Sequence, residues 1–139
     1  MFDRALAEAG IDRARVYVTN AVKHFKFEPR GKRRIHSKPN SGEIEHCRWW
    51  LGRELSLIKP KLVVAMGATA VRGLTGRTVT ISRERGRLTP LGSHQGLITV
   101  HPSFLLRLPD AEAQAREYAH FVTDLRTVAT HLPAILKAA

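Results

Sequence analysis

Three short segments of this 139-residue sequence carry side chains suited to chemistry. Asn20 stands near the end of the apolar, β-branched run 16–22. Its amide offers a donor and an acceptor, which suits the edge of a base, or it caps its own turn through the backbone. The second segment, Lys32-Arg33-Arg34-Ile35-His36-Ser37, sets an imidazole among cations. Neighbouring positive charge disfavours imidazolium, so His36 tends toward the neutral, nucleophilic form. The same segment reads equally as a plain phosphate-binding loop. The third segment is His101-Pro102-Ser103-Phe104-Leu105-Leu106-Arg107. There His101 can donate a hydrogen bond to a developing oxyanion, and Ser103 with nearby backbone can hold a phosphate. Phe104, Leu105 and Leu106 either insert between bases or pack under the last helix.

The elements that must position these groups follow from periodicity. Residues 1–9 read as a helix with Phe2, Leu6 and Ala9 on one face and Gly10 as its stop. The run 16–22 reads as a buried strand. Residues 23–40 contain Pro29, Gly31 and Pro39 and read as a long loop. Asn40 with Glu43 makes a capping box for a helix whose apolar positions are Ile44, Cys47, Leu51, Leu55 and Ile58. Cys47 on that stripe reads as a small core residue. Residues 62–66 form a second apolar strand, and Gly67 turns it into a short helix over 68–74. Residues 77–95 read as irregular and basic, and 97–100 as a third strand. Tyr118, Phe121, Val122, Leu125 and Val128 mark the final amphipathic helix, with Pro133 at its end.

Apolar strands separated by helices predict a parallel sheet covered on both faces. Parallel strands share one C-terminal edge, where ligands bind in such sheets. That edge gathers Asn20, the basic segment, Gly67 and His101.

Charge supports a polyanionic partner. Lys and Arg number 23 against 12 acids, a net +11. Seven of those cations and one acid fall between Lys23 and Lys38, over half of the net charge. A membrane surface fits poorly, since this charge sits on a Pro/Gly segment and not on an amphipathic helix. The single cysteine excludes an internal disulfide and fits a cytoplasmic setting. No paired carboxylates, Ser-His-Asp triad or CxxC motif is present.

Taken in order, Tyr17-Val18-Thr19-Asn20-Ala21-Val22-Lys23, Lys32-Arg33-Arg34-Ile35-His36, Val64-Ala65-Met66-Gly67-Ala68 and His101 through Arg107 resemble the iron–sulfur uracil-DNA glycosylases. The basic segment with its histidine is similar to the UdgX branch. The resemblance runs from about residue 16 to the final helix. It implies a single three-layer α/β/α sandwich over residues 1–139, with a parallel central sheet lacking its first strand. It implies a DNA-repair enzyme that flips uracil from DNA, single-stranded by expectation, and cleaves its glycosidic bond as a monomer. Asn20 and Ser103 would then bind substrate, and His101 would stabilise the departing base. Leu105 would be the wedge in the emptied stack. His36 would capture the sugar C1′, while Lys32, Arg33, Arg34 and Arg107 contact DNA.

A four-iron cluster is also implied, with His24 and Cys47 at two of its ligand positions. The Gly-Glu-x-Pro-Gly loop and the first pair of ligands found in related enzymes have no match here. The resemblance therefore implies a partial domain, impaired in excision when taken alone. A non-catalytic nucleic-acid-binding module that keeps the basic segment is the alternative.

Overall fold

Leu97, Ile98, Thr99 and Val100 are all buried, an unbroken run that only a strand covered on both faces and both edges sustains. In the computed structural model, which describes residues 1–24 and 26–132, this strand is β5 (His94–Thr99). It lies between β3 (Val63–Met66) and β4 (Leu88–Leu91), giving the order β3-β5-β4. β3 runs parallel to β5, with Val64 opposite Leu97 and Met66 opposite Thr99. β4 runs antiparallel, with Leu88 opposite Leu97. Gly96 is required at the centre, because a Cβ there would collide with the Leu91 side chain and lie 2.7 Å from the Val63 carbonyl oxygen.

Helices cover both faces. Leu97 packs with Ala5 and Leu6 of α1 (Phe2–Glu8), Leu105 of α5 (Pro102–Leu106), and Phe121, Val122 and Leu125 of α6 (Ala111–His131). Ile98 faces the other way, toward Val71 of α3 (Ala68–Thr75) and Leu91. The alternation of side chains along β5 thus divides the core in two. α2 (Ser41–Ile58) packs outside α3, and Ile44 and Leu51 lie beside the surface of Gly73. The layered α/β architecture is as expected, and no described helix is long and apolar enough to cross a membrane.

Four local expectations are corrected. The run 16–22 is not a strand. Among the described residues nothing pairs with the outer edge of β3, and an extended segment without a neighbouring ladder cannot become sheet. Tyr17 and Val18 are instead exposed, and the segment is tied to α2, where Glu54 accepts from the Tyr17 hydroxyl at 2.7 Å and pairs with Lys23. Residues 23–40 are not all loop, since β1 (Phe27–Arg30) and β2 (Arg33–His36) form an antiparallel hairpin closed at Gly31 (φ +62°). Residues 77–95 hold a short helix α4 (Ile81–Glu84), β4 and the start of β5. Because β4 enters antiparallel, the sheet is mixed and not wholly parallel. Pro133 lies outside the described residues.

The expected capping box is present. The Asn40 side chain accepts from the Glu43 N–H at 2.9 Å, and Glu43 accepts from the Asn40 N–H at 3.3 Å. Glu43 also receives the Lys26 ammonium at 2.8 Å, and this contact holds its carboxyl below the usual range. One carboxylate thus starts α2 and moors the base of the hairpin. Asn40→Ala should cost about 1 kcal/mol in urea denaturation with an unchanged m-value, and Asn40→Gly much less.

Candidate active site

β3 and β5 end side by side. The Gly67 N–H donates to the Thr99 carbonyl at 2.9 Å, locking the two exits together. Gly67 adopts φ +92°, and a Cβ there would sit 3.3 Å from the His101 Cβ. Glycine at this turn therefore leaves the room that His101 occupies.

His101 caps α5. Its Nδ1 accepts from the Ser103 backbone N–H at 3.1 Å and lies 2.8 Å from the Ser103 hydroxyl. Arg107 donates to that hydroxyl at 3.3 Å, leaving the Ser103 proton for the imidazole. A ring nitrogen that accepts a backbone N–H carries no proton, so in the neutral ring the proton resides on Nε2. Partial desolvation lowers the His101 pKa below its ordinary value, and the positive charges of Arg107 and His36 lower it further. The result is a neutral imidazole with one donor, suited to negative charge forming on a ligand oxygen.

His36 contributes to this depression, so the hairpin lies within electrostatic range of His101. Sequence order alone left this open. In the hairpin, Phe27 pairs with His36 and Pro29 with Arg34, and the other face carries Glu28, Arg30, Arg33 and Ile35. Arg34 therefore shares the His36 face, where its guanidinium lies 4.9 Å over the Phe27 ring, while Arg33 projects to the opposite face and Lys32 follows Gly31 in the turn. All eight strand residues are exposed, so the hairpin presents its cations on both sides.

Asn20 is exposed in the unpaired stretch, and among the described residues its side chain makes no hydrogen bond. Asn20, His36 and His101 stand on open surface. A groove of about 640 Å³ between α2 and the β4–β5 turn, lined by Arg48, Lys59 and His94, lies at the other end of the strands and includes none of them.

Leu105 is corrected as the wedge. It is 2% exposed and packed in the α1–α6 core, whereas its neighbour Leu106 is 68% exposed and Phe104 38%. Residues 102–106 form a helical turn, which sends adjacent side chains in different directions, so three consecutive apolar residues cannot share one fate. Sequence reading also passed over Asp124, a carboxylate on the apolar face of α6 that is 2% exposed. Its signal was available, since an acid between Val122 and Leu125 interrupts a core stripe.

Cys47 is buried and accepts the Lys23 N–H at 3.5 Å, and His24 follows Lys23 in the chain. A four-iron cluster needs about four ligands. Among the described residues no group of three or more His, Cys, Asp or Glu side chains converges, so these residues do not fit a complete cluster site.

The depressed His101 pKa has a defined sign. The unfolded ring takes its proton near 6.5 while the folded ring resists, so falling pH through this window favours unfolding. By NMR titration, His101 should have a midpoint below 6.5, and both Arg107→Gln and His36→Gln should raise it. A midpoint that stays fixed in both variants would remove the electrostatic link between hairpin and rim.

The pattern of the uracil DNA glycosylase superfamily matches residues 1–126. A type-4 uracil-DNA glycosylase of Thermotoga maritima is 36% identical over 104 residues, covering 73% of this chain and 50% of that protein. Type-4 uracil-DNA glycosylases of Pyrobaculum aerophilum and Archaeoglobus fulgidus are each 30% identical, covering 78% and 75% of this chain and 56% and 53% of those proteins. The chain thus spans about half the length of these relatives. With two strand exits locked at Gly67, a neutral imidazole at position 101 and the sequence pattern of nearly its whole length, the chain belongs to the uracil DNA glycosylase superfamily.

Proposed function

We propose that this chain carries the leaving-group and sugar-capturing part of a uracil-DNA glycosylase of the UdgX type. The observation that carries the reading is an imidazole fixed at the exit of β5, His101, within electrostatic range of a second one, His36, on an exposed cationic hairpin. The names of the three relatives supply the substrate, uracil in DNA.

The chemistry follows from the roles these groups can fill. Asn20 pairs its amide with the edge of the extruded pyrimidine. The bond between the sugar C1′ and the base N1 breaks, and its electron pair leaves with the base. The Nε2–H of His101 donates to the carbonyl oxygen on which that charge collects. A neutral His101 serves better than imidazolium, because it stabilises the anion through a hydrogen bond while keeping its proton. The sugar is left electron-poor at C1′. A ring-nitrogen lone pair of His36 forms the new bond to C1′, and the alkylated ring sheds its remaining N–H proton to solvent. Lys32, Arg33, Arg34 and Arg107 neutralise backbone phosphates, which makes binding salt-dependent. An open rim and a two-sided cationic hairpin favour single-stranded DNA, which needs no strand separation before the base is reached. Leu106, with Phe104 beside it, replaces Leu105 as the apolar group offered to neighbouring bases.

Prolonged incubation with a uracil-bearing single-stranded oligonucleotide should give a slow band on a denaturing gel, absent with His36→Ala. Salt-sensitive binding without preference for uracil, and no such band, would overturn this reading in favour of a nucleic-acid-binding module. Leu106→Ala should weaken binding to the uracil strand several-fold, because it removes exposed apolar area without opening the core. In contrast, Leu105→Ala should lower thermal stability by about 2–5 kcal/mol, the usual cost of emptying a buried leucine site.

A further inference from the structure

We propose that Asp124, held by Arg85, is a positioning residue for His101 and acts through Thr99. The inference rests on the reading of His101 as the donor to the departing base, but its structural core does not.

Thr99 is the last residue of β5, and a single residue separates it from His101. Its side chain is fully buried and donates to Asp124 Oδ2 at 2.6 Å. Its carbonyl receives the Gly67 N–H. The strand is thus gripped at its exit through both main chain and side chain. Hydrogen bonds to a carboxylate are shorter and stronger than neutral ones, so this grip fixes direction as well as distance.

Asp124 is in turn held from outside the helix. Arg85 Nε donates to Oδ2 at 2.8 Å, and Arg85 Nη1 donates to Glu117 at 3.0 Å. The Nη2 group also lies 2.8 Å from Oδ2, but it is misaligned and is left as a buried donor without a hydrogen bond. The other carboxylate oxygen faces His120 at 3.8 Å. Gly86 closes over the pair. Its N–H donates to the Ile98 carbonyl at 2.9 Å, and a Cβ there would lie 2.7 Å from Asp124 Oδ1.

A buried ion pair is a poor way to gain stability, since desolvation offsets most of the attraction and apolar side chains of similar size do as well. Leucine at position 124 would complete the stripe of Phe121, Val122, Leu125 and Val128. An apolar contact has no direction, however, and would let the end of β5 slide or twist. The carboxylate accepts from one hydroxyl at one angle, so α6 sets where β5 releases the chain and therefore where the imidazole of His101 stands.

The test is Thr99→Val, which keeps the shape and removes the hydroxyl, with Thr99→Ser as the rescue. In 15N NMR, His101 should lose its single Nε2–H tautomer in Thr99→Val and regain it in Thr99→Ser, while the His36 signals stay in place. On a uracil oligonucleotide, kcat should fall about tenfold or more with KM within about twofold, as expected when a donor is misplaced by a fraction of an ångström. Wild-type His101 signals in Thr99→Val would overturn the proposal. So would loss of kcat that Thr99→Ser fails to restore. If the unmodified chain excises no uracil, that failure belongs to the proposed function, and the NMR comparison still decides the positioning role.

Discussion

The sheet has one strand that cannot move. β5 is flanked by β3 and β4, pressed by α1 and α6 on one face and by α3 on the other. Four consecutive residues at its end, Leu97 to Val100, are buried, and Gly96 is packed so closely that no side chain fits. Whatever leaves the C-terminal end of this strand leaves at a fixed point. His101 is the first exposed residue beyond it, and the Gly67 turn of β3 is shaped around that residue. The placement of His101 inherits its precision from this packing.

The hairpin obeys a different logic. It has no buried face; the Ser37 N–H donates to the Lys26 carbonyl at 2.8 Å to close its base, and the Lys26 ammonium ties that base to Glu43 of α2. Polar tethers of this kind hold an element near a place without fixing it as a core does. An imidazole on a tethered, cationic arm suits a group that must meet a phosphate-bearing strand. An imidazole on a packed strand exit suits a group that must meet one developing charge. The proposed division of labour between the two histidines follows this difference in the stiffness of their supports.

Some elements were legible because their signals are local. The capping box at Asn40 and Glu43, the glycine stop at Gly10, and the apolar run of β5 each depend on residues within a few positions of one another. Other elements were hidden because their cause is distant or atypical. The hairpin contains Pro29, which argues against a strand, yet an exposed two-stranded ribbon tolerates a residue without an N–H. The stretch 16–22 has the composition of a strand but no neighbour among the described residues with which to pair. The fate of Leu105 and Leu106 turned on the phase of a five-residue helix, which composition cannot reveal.

By itself the sequence determined the charge, the start of α2, the apolar strand at the centre and the order of the polar segments that mark the superfamily. These are properties of composition and short spacing, and they survive without coordinates. Only the tertiary structure decided which leucine faces solvent, that His36 lies within electrostatic range of His101 across 65 positions of chain, and that an acid within an apolar stripe meets Thr99. The last two relate segments far apart in sequence, and the first depends on how a short helix is turned against the core. Such contacts are set by how helices and strands pack against one another, and no local pattern encodes them.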